Sequence, residues 1–194
     1  IGYIEPHKRP DTNRLLEGLP QVPLKQYQHK QLTLYEPDID RLIQLKPDIV
    51  LIDELAHTNP IGARNKKRYQ DVDELLNAGI TVYTTINVQH IESLNDIVEK
   101  VTEVEVRETV PDTFFQHASL RVVDVEPDEL IDRLEQGKIY ADENAKRALK
   151  NFFTPEKLDH LRGLAIQKAS NHINQMNGGR KRVQSKLLTI IDDR

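Results

Sequence analysis

Four consecutive apolar residues, Ile49-Val50-Leu51-Ile52, run straight into two carboxylates, Asp53 and Glu54. A strand with one face in water alternates apolar and polar residues, whereas an unbroken run needs cover on both faces. The run therefore predicts a central strand of a mainly parallel sheet with helices on either side. Its other consequence is positional. Asp53 and Glu54 must stand at the C-terminal edge of that sheet, where open α/β folds bind their ligands.

The rest of the chain alternates in the way such a sheet requires. Ile1 to Glu5 reads as a short strand, and Asp11 to Leu16 as a short helix closed by Gly18 and Pro20. Pro23 to Tyr35 alternates weakly, as a ribbon does. Asp38 caps a helix carrying Ile39, Leu42 and Ile43, which Pro47 stops. A helix over 65–76 with Gly79 as its stop, a β-branched strand over 80–86, and a helix over 91–101 follow. Strands are then expected over 104–110 and 120–125, with a helical turn over 111–117 between them. From Pro127 the pattern is helical: one helix closed by Gly137, a second from Asp142 with Phe152 and Phe153 on its stripe, and a third from Pro155. The expected organisation is an α/β unit over 1–126, a helical tail over 127–176 packed on it, a Gly-rich linker over 177–185, and a new strand over 186–194. Strand patterns at both ends, with nothing in sequence to pair the last one, read as a piece of a longer protein.

Composition removes several function classes. The chain of 194 residues has no cysteine, which excludes disulfides, thiol catalysis and cysteine-ligated metals. A formal net charge of -4 argues against a general nucleic-acid surface. No apolar run approaches a membrane span.

An apolar strand ending in Asp-Glu is the Walker B pattern, in which the first carboxylate holds Mg²⁺ and the second orients an attacking water. Its companion, a Gly-x-x-x-x-Gly-Lys-Ser/Thr phosphate loop, is not in the sequence. A rival reading makes Asp53 the phosphoacceptor of a receiver domain with Thr84 or Thr85 as switch hydroxyl. That scheme wants a lysine after the next strand, and Val104 to Pro111 has none. His7, His57 and His90 each follow an expected strand, near Glu5, Glu54 and Glu92, and can be metal ligands or plain hydrogen-bonding loop residues; their spacing matches no metal motif. Arg64, Lys66, Lys67 and Arg68 form a basic cluster at a helix start, read either as a solvated face or as a phosphate contact. Arg180-Lys181-Arg182 reads as a solvated linker.

Three stretches go further: Leu51 to Asn59 (LIDELAHTN), Lys67 to Val72 (KRYQDV) and Val82 to Asn95 (VYTTINVQHIESLN). With Gly2 to Pro10, Arg107 to Asp112 and Arg147 to Phe153, they closely resemble the N-terminal cytoplasmic domain of KdpD-type osmosensitive potassium-channel sensor histidine kinases, over about residues 1–176. The resemblance implies a P-loop-NTPase-like fold binding ATP with Mg²⁺. Asp53 and Glu54 would be at its Walker B positions, Asp53 holding the metal through the nucleotide, and Glu5, His7, His57, Asn87 and His90 would be strand-end contacts. The first strand and phosphate loop would precede Ile1, so tight nucleotide binding is not expected of these residues alone. Their absence would leave a slot beside the central strands, a route to self-association. Pro6 and Lys8 stand where Thr and Gly are expected.

The same resemblance places the domain on the cytoplasmic side of the membrane. It would be followed by a universal-stress-protein-like domain starting at Lys186, then membrane spans and a kinase core that signals to a response regulator. No catalytic residue of that core would lie here. An intrinsic ATPase using Glu54, and a protein-interaction module with a purely structural acidic strand end, are the alternatives.

Overall fold

The computed structural model describes residues 1–7, 9–29, 32–135, 154–178 and 186–191, with backbone alone for 29, 134–135, 176–178 and 186–191. A short helix α1 (Pro10–Leu16) precedes an antiparallel ribbon of β1 (Lys25–His29) and β2 (Leu32–Glu36). Then come α2 (Ile39–Leu45), β3 (Ile49–Ile52), α3 (Arg68–Asn77), β4 (Thr81–Ile86), α4 (Asn95–Thr102), β5 (Ala118–Val123), α5 (Pro127–Glu135), α6 (Pro155–Gly178) and β6 (Lys186–Ile191). Strands β3, β4, β6 and β5 lie side by side in that order, all parallel. The fold is α/β with a mainly parallel sheet.

Local chemistry explains the boundaries. Asp38 accepts the backbone N–H of Arg41 at 3.0 Å and caps α2. Lys46 ends that helix in the left-handed region at φ 46, and Pro47 forbids a further turn. Beyond it, Val50 and Ile52 on one face are buried, Ile52 completely, whereas Ile49 is half exposed and Leu51 only partly covered. β3 is the outer strand of the four, with β4 on one side and a single bridge from Tyr3 on the other, so it is not the central strand covered on both faces that the run predicts. Val72 and Leu75 of α3 and Leu42 of α2 pack into the same core.

Three further expectations are corrected. Ile1 to Glu5 forms no full strand: Tyr3 makes one parallel bridge to Ile52, with the Gly2 and Tyr3 N–H groups both donating to the Leu51 carbonyl at 3.0 Å. Val104 to Val110 is extended but joins the structure only through a bridge from Val110 to Ile91. Its backbone is held instead by side chains. Asn95 Nδ2 donates to the Val106 carbonyl at 3.0 Å, and Val106 N–H donates to Glu99 Oε1 at 2.8 Å. The last strand is not partnerless: β6 lies between β4 and β5, and occupies the position beside the central strands that was expected to stand open. The helix read from Asp142, with Phe152 and Phe153, lies outside the described residues, as does the linker over 179–185.

The 24-residue helix α6 buries Leu158, Leu161, Ala165, Ala169 and His172, one stripe at helical spacing. It packs on β5, α4 and α5. His172 Nε2–H donates to the Ala118 carbonyl at 2.7 Å, and Arg162 pairs with both Asp124 and Glu126.

Gly2 marks the tightest approach of the chain start to the core. A Cβ there would stand 2.5 Å from Ile52 Cδ1, 2.9 Å from Val50 Cγ1 and 3.0 Å from Leu42 Cδ1. Gly2→Ala should destabilise the domain by about 1–3 kcal/mol through overpacking. The check is a lower denaturation midpoint with an unchanged m-value.

Candidate functional site

The ends of β3 and β4 gather most of the singled-out residues. Asp53, nearly buried, receives four hydrogen bonds or backbone contacts from its surroundings. Its Oδ1 accepts the Thr85 hydroxyl and the Glu54 N–H (3.0 Å), its Oδ2 accepts the Glu5 N–H (3.4 Å), and its own carbonyl accepts from Arg68 (3.1 Å). Glu54 follows in the left-handed region at φ 56. Its carboxylate meets His7 Nε2 at 3.3 Å and Arg68 at 3.7 Å. His7 is itself left-handed at φ 47, and its N–H donates to Glu5 Oε1 at 3.1 Å.

Arg68 organises this edge from beneath. It is completely buried, although its position in a basic cluster suggests a solvated face. One end of the guanidinium donates to Glu36 Oε2 at 2.6 Å, the other to the Asp53 carbonyl, and its plane lies 4.1 Å from the centre of the Tyr3 ring. Glu36 Oε1 accepts from His57 Nε2 at 3.0 Å. The Arg68 Nε–H has no hydrogen-bond partner among the described residues. Burial alone would raise the Glu36 carboxyl, but the His57 hydrogen bond and the Arg68 charge outweigh it and hold the group below the usual carboxylate range. Burial pushes the Tyr3 hydroxyl up to about 12, against the pull of Arg68.

Beside this network opens a cavity of about 220 Å³, lined by Glu54, His57, Asn87, His90 and Glu108, with Leu55, Ala56, Thr85 and Ile86. His90 Nδ1–H donates to the Glu108 carbonyl at 2.7 Å, which leaves the imidazole lone pair of the neutral ring on Nε2. Glu108 Oε1 accepts the Thr58 N–H at 2.7 Å, so the extended segment forms one wall.

Of the singled-out residues, the structure brings Asp53, Glu54, Glu5 and His7 into one cluster and Glu54, His57, Asn87 and His90 around one cavity. Thr85, raised in the receiver reading, touches Asp53, whereas the Thr84 hydroxyl is buried without a partner among the described residues. Sequence reasoning missed Arg68, Glu36, Tyr3 and Glu108 as members. The one signal for Arg68 was its adverse place at a helix N-terminus. No group of three or more His, Asp or Glu side chains among the described residues is placed to hold a metal by itself. Asp53 and the Thr85 hydroxyl are hard oxygen donors, and that set suits Mg²⁺ carried with a phosphate and waters. A second buried carboxylate, Asp71, accepts from Asn59 and Asn65; burial pushes its acid group up despite those bonds.

Removing Arg68 should expose how much rests on it. Arg68→Met is expected to cost about 3–5 kcal/mol, because Glu36 is left buried without its cation. Adding Glu36→Gln should recover part of that loss. Glu36 alone carries a pH signature. Its lowered folded-state pKa gives stability that is full above the unfolded value and lost as pH falls through the folded one. Glu36→Gln should therefore flatten the acid limb of a stability-against-pH curve, measured by denaturant titration.

The model of the KdpD family, described as the osmosensitive K⁺ channel His kinase sensor domain, matches residues 1–173. The chain is 54% identical over 175 residues to the sensor protein KdpD of Clostridium acetobutylicum, covering 90% of this chain and 19% of that protein. It is 46% identical over 176 residues to the sensor protein KdpD of Escherichia coli, covering 90% of this chain and 20% of that one. A protein of Synechocystis sp. that carries the same KdpD name is 47% identical over 176 residues, of which 48% of its length is covered. The chain thus spans about a fifth of the first two relatives.

Proposed function

The chain belongs to the KdpD family of osmosensitive K⁺ channel histidine kinase sensor domains, and on that premise we propose that it is a nucleotide-linked regulatory domain on the cytoplasmic side of a membrane-bound sensor histidine kinase. The parent protein would control potassium-uptake genes through a response regulator. Binding of ATP with Mg²⁺ at the end of β3 would bias its kinase and phosphatase output. A P-loop-NTPase-like fold goes with this reading, its phosphate loop supplied by chain before Ile1. A universal-stress-protein-like domain starting at Lys186 would link it to the rest. No described helix is long and apolar enough to cross a membrane, consistent with spans elsewhere in the parent.

The observation that carries the proposal is Asp53. A buried carboxylate at the C-terminal end of a parallel strand, oriented by Thr85 and two backbone N–H groups, is held in one geometry at the ligand edge. Bound nucleotide would supply the phosphates that complete the metal's coordination. The chain's own residues orient Asp53 and set the charge around it.

Glu54 favours regulation over steady hydrolysis. To orient a water its carboxylate would have to leave both His7 and Arg68. The geometry gives a reason for slow turnover and for a site that reports occupancy. The interaction-module reading gains nothing comparable.

Asp53→Asn in the full-length sensor protein should weaken Mg²⁺-dependent ATP binding about tenfold or more while the fold persists. Titration calorimetry with and without Mg²⁺, beside circular dichroism, reads both. Unchanged affinity with unchanged magnesium dependence would remove the Walker B reading.

A further inference from the structure

We propose that the cavity at the ends of β3 and β4 is a binding site for a small organic amine, held by its ammonium group. The first ground is an orphaned amide. Asn87 is only 9% exposed, yet its side chain has no hydrogen-bond partner among the described residues. It sits two residues beyond Thr85 on backbone that is still extended (φ -84, ψ 149), so it leaves β4 on the same face as Thr85, toward the cavity that both residues line. A buried amide that no protein group satisfies calls for a molecule in the space before it.

The second ground is the tally of donors and acceptors. The Thr85 hydroxyl is committed to Asp53, and the His57 Nε2–H to Glu36, which leaves a lone pair on His57 Nδ1. His90 gives its Nδ1–H to the Glu108 carbonyl and carries its lone pair on Nε2. With the carboxylates of Glu54 and Glu108 and the Asn87 oxygen, the lining is rich in acceptors and poor in donors. An ammonium group is the complement, with three donors and no acceptor.

The third ground is charge. Arg68 is one cation shared by Glu36 and Glu54. Glu108 accepts the Thr58 N–H, and among the described residues no cation lies within ion-pair distance of it. The nearby Lys67 ammonium bonds the Thr58 hydroxyl instead. A cationic ligand offsets the charge of Glu108, whereas an anion entering without a metal would add to it. Among the described residues no three carboxylate or imidazole groups converge to hold a bare metal ion. Leu55, Ala56 and Ile86 also line the wall, which suits methylene groups, and about 220 Å³ admits a short alkyl chain with its ammonium end. The site goes beyond the nucleotide reading. It uses neither Asp53 nor Mg²⁺, and its test is run without nucleotide, so either can fail alone.

The probe is diaminobutane, with butanediol as the neutral molecule of the same shape. Each is titrated calorimetrically into the full chain in the absence of nucleotide. Saturable binding of the diamine by millimolar concentration is expected, with no binding of the diol and no displacement by equimolar potassium chloride. Glu108→Gln keeps an acceptor for the Thr58 N–H but removes the charge, and should weaken diamine binding about tenfold or more. Asn87→Ala should weaken it about threefold or more, through loss of one acceptor. Glu105→Gln removes a charge of the same sign from the same segment, but Glu105 is exposed and paired with Arg107, so affinity should not change. Circular dichroism reads whether each variant is folded, and Asn87→Ala decides if Glu108→Gln is not. Absence of saturable diamine binding, or equal binding of the diol, overturns the site. So do equal losses in Glu108→Gln and Glu105→Gln, or an affinity that Asn87→Ala leaves unchanged. Displacement by equimolar potassium chloride would make it a bare-ion site and overturn it equally.

Discussion

One buried guanidinium holds the ligand edge together. Arg68 joins three parts of the chain: the ribbon through Glu36, the end of β3 through the Asp53 carbonyl, and the chain start through the Tyr3 ring. A buried arginine is tolerated when its charge is matched and its donors are used, and here a carboxylate, a carbonyl and an aromatic face share the task. Its planar fork matters as much as its charge. A lysine would offer a point charge in place of that fork. The ribbon, otherwise exposed on much of its surface, is thereby tied to the cavity wall through Glu36 and His57.

Backbone conformation at the edge follows the same logic. Among the described residues, four other than glycine lie in the left-handed region: His7, Lys46, Glu54 and Glu103. Lys46 and Glu103 end helices, where that conformation satisfies the last carbonyls. His7 and Glu54 end no helix. They face each other across an ion-pair distance, so two strained backbones meet at one contact. Strain of this kind is kept where the surroundings over-determine it, and such places cluster at sites of function.

How much of this could be read from residues alone depended on the range of the interaction. The unbroken run of β3, the Asp38 cap, Pro47 and the stripe of α6 are local patterns, and each gave an element close to its observed limits. Placing Asp53 and Glu54 at the sheet edge needed no more than the run that precedes them. Val104 to Val110 was misread because its β-branched residues favour extension, while the partners of its backbone are the side chains of Asn95 and Glu99, which no strand pattern encodes. Arg68 was misread because the four residues before it, Arg64, Asn65, Lys66 and Lys67, are all polar or charged. Its burial depends on Glu36, and nothing local links the two. The inner position of β6 depends on pairing across most of the chain, which periodicity does not see.

That last pairing also sets the order in which the molecule can be made. Tyr83 waits for Leu187, and Leu120 waits for Leu188. During synthesis the helices and the β3–β4 pair can form early, but the inner rims of β4 and β5 pair with β6 only when residues 186–191 leave the ribosome. Non-local parallel pairing of this kind closes slowly, and until it does the two rims are open to any strand nearby. The rate at which residues 186–191 are delivered thus bears on yield alongside the stability of the finished sheet.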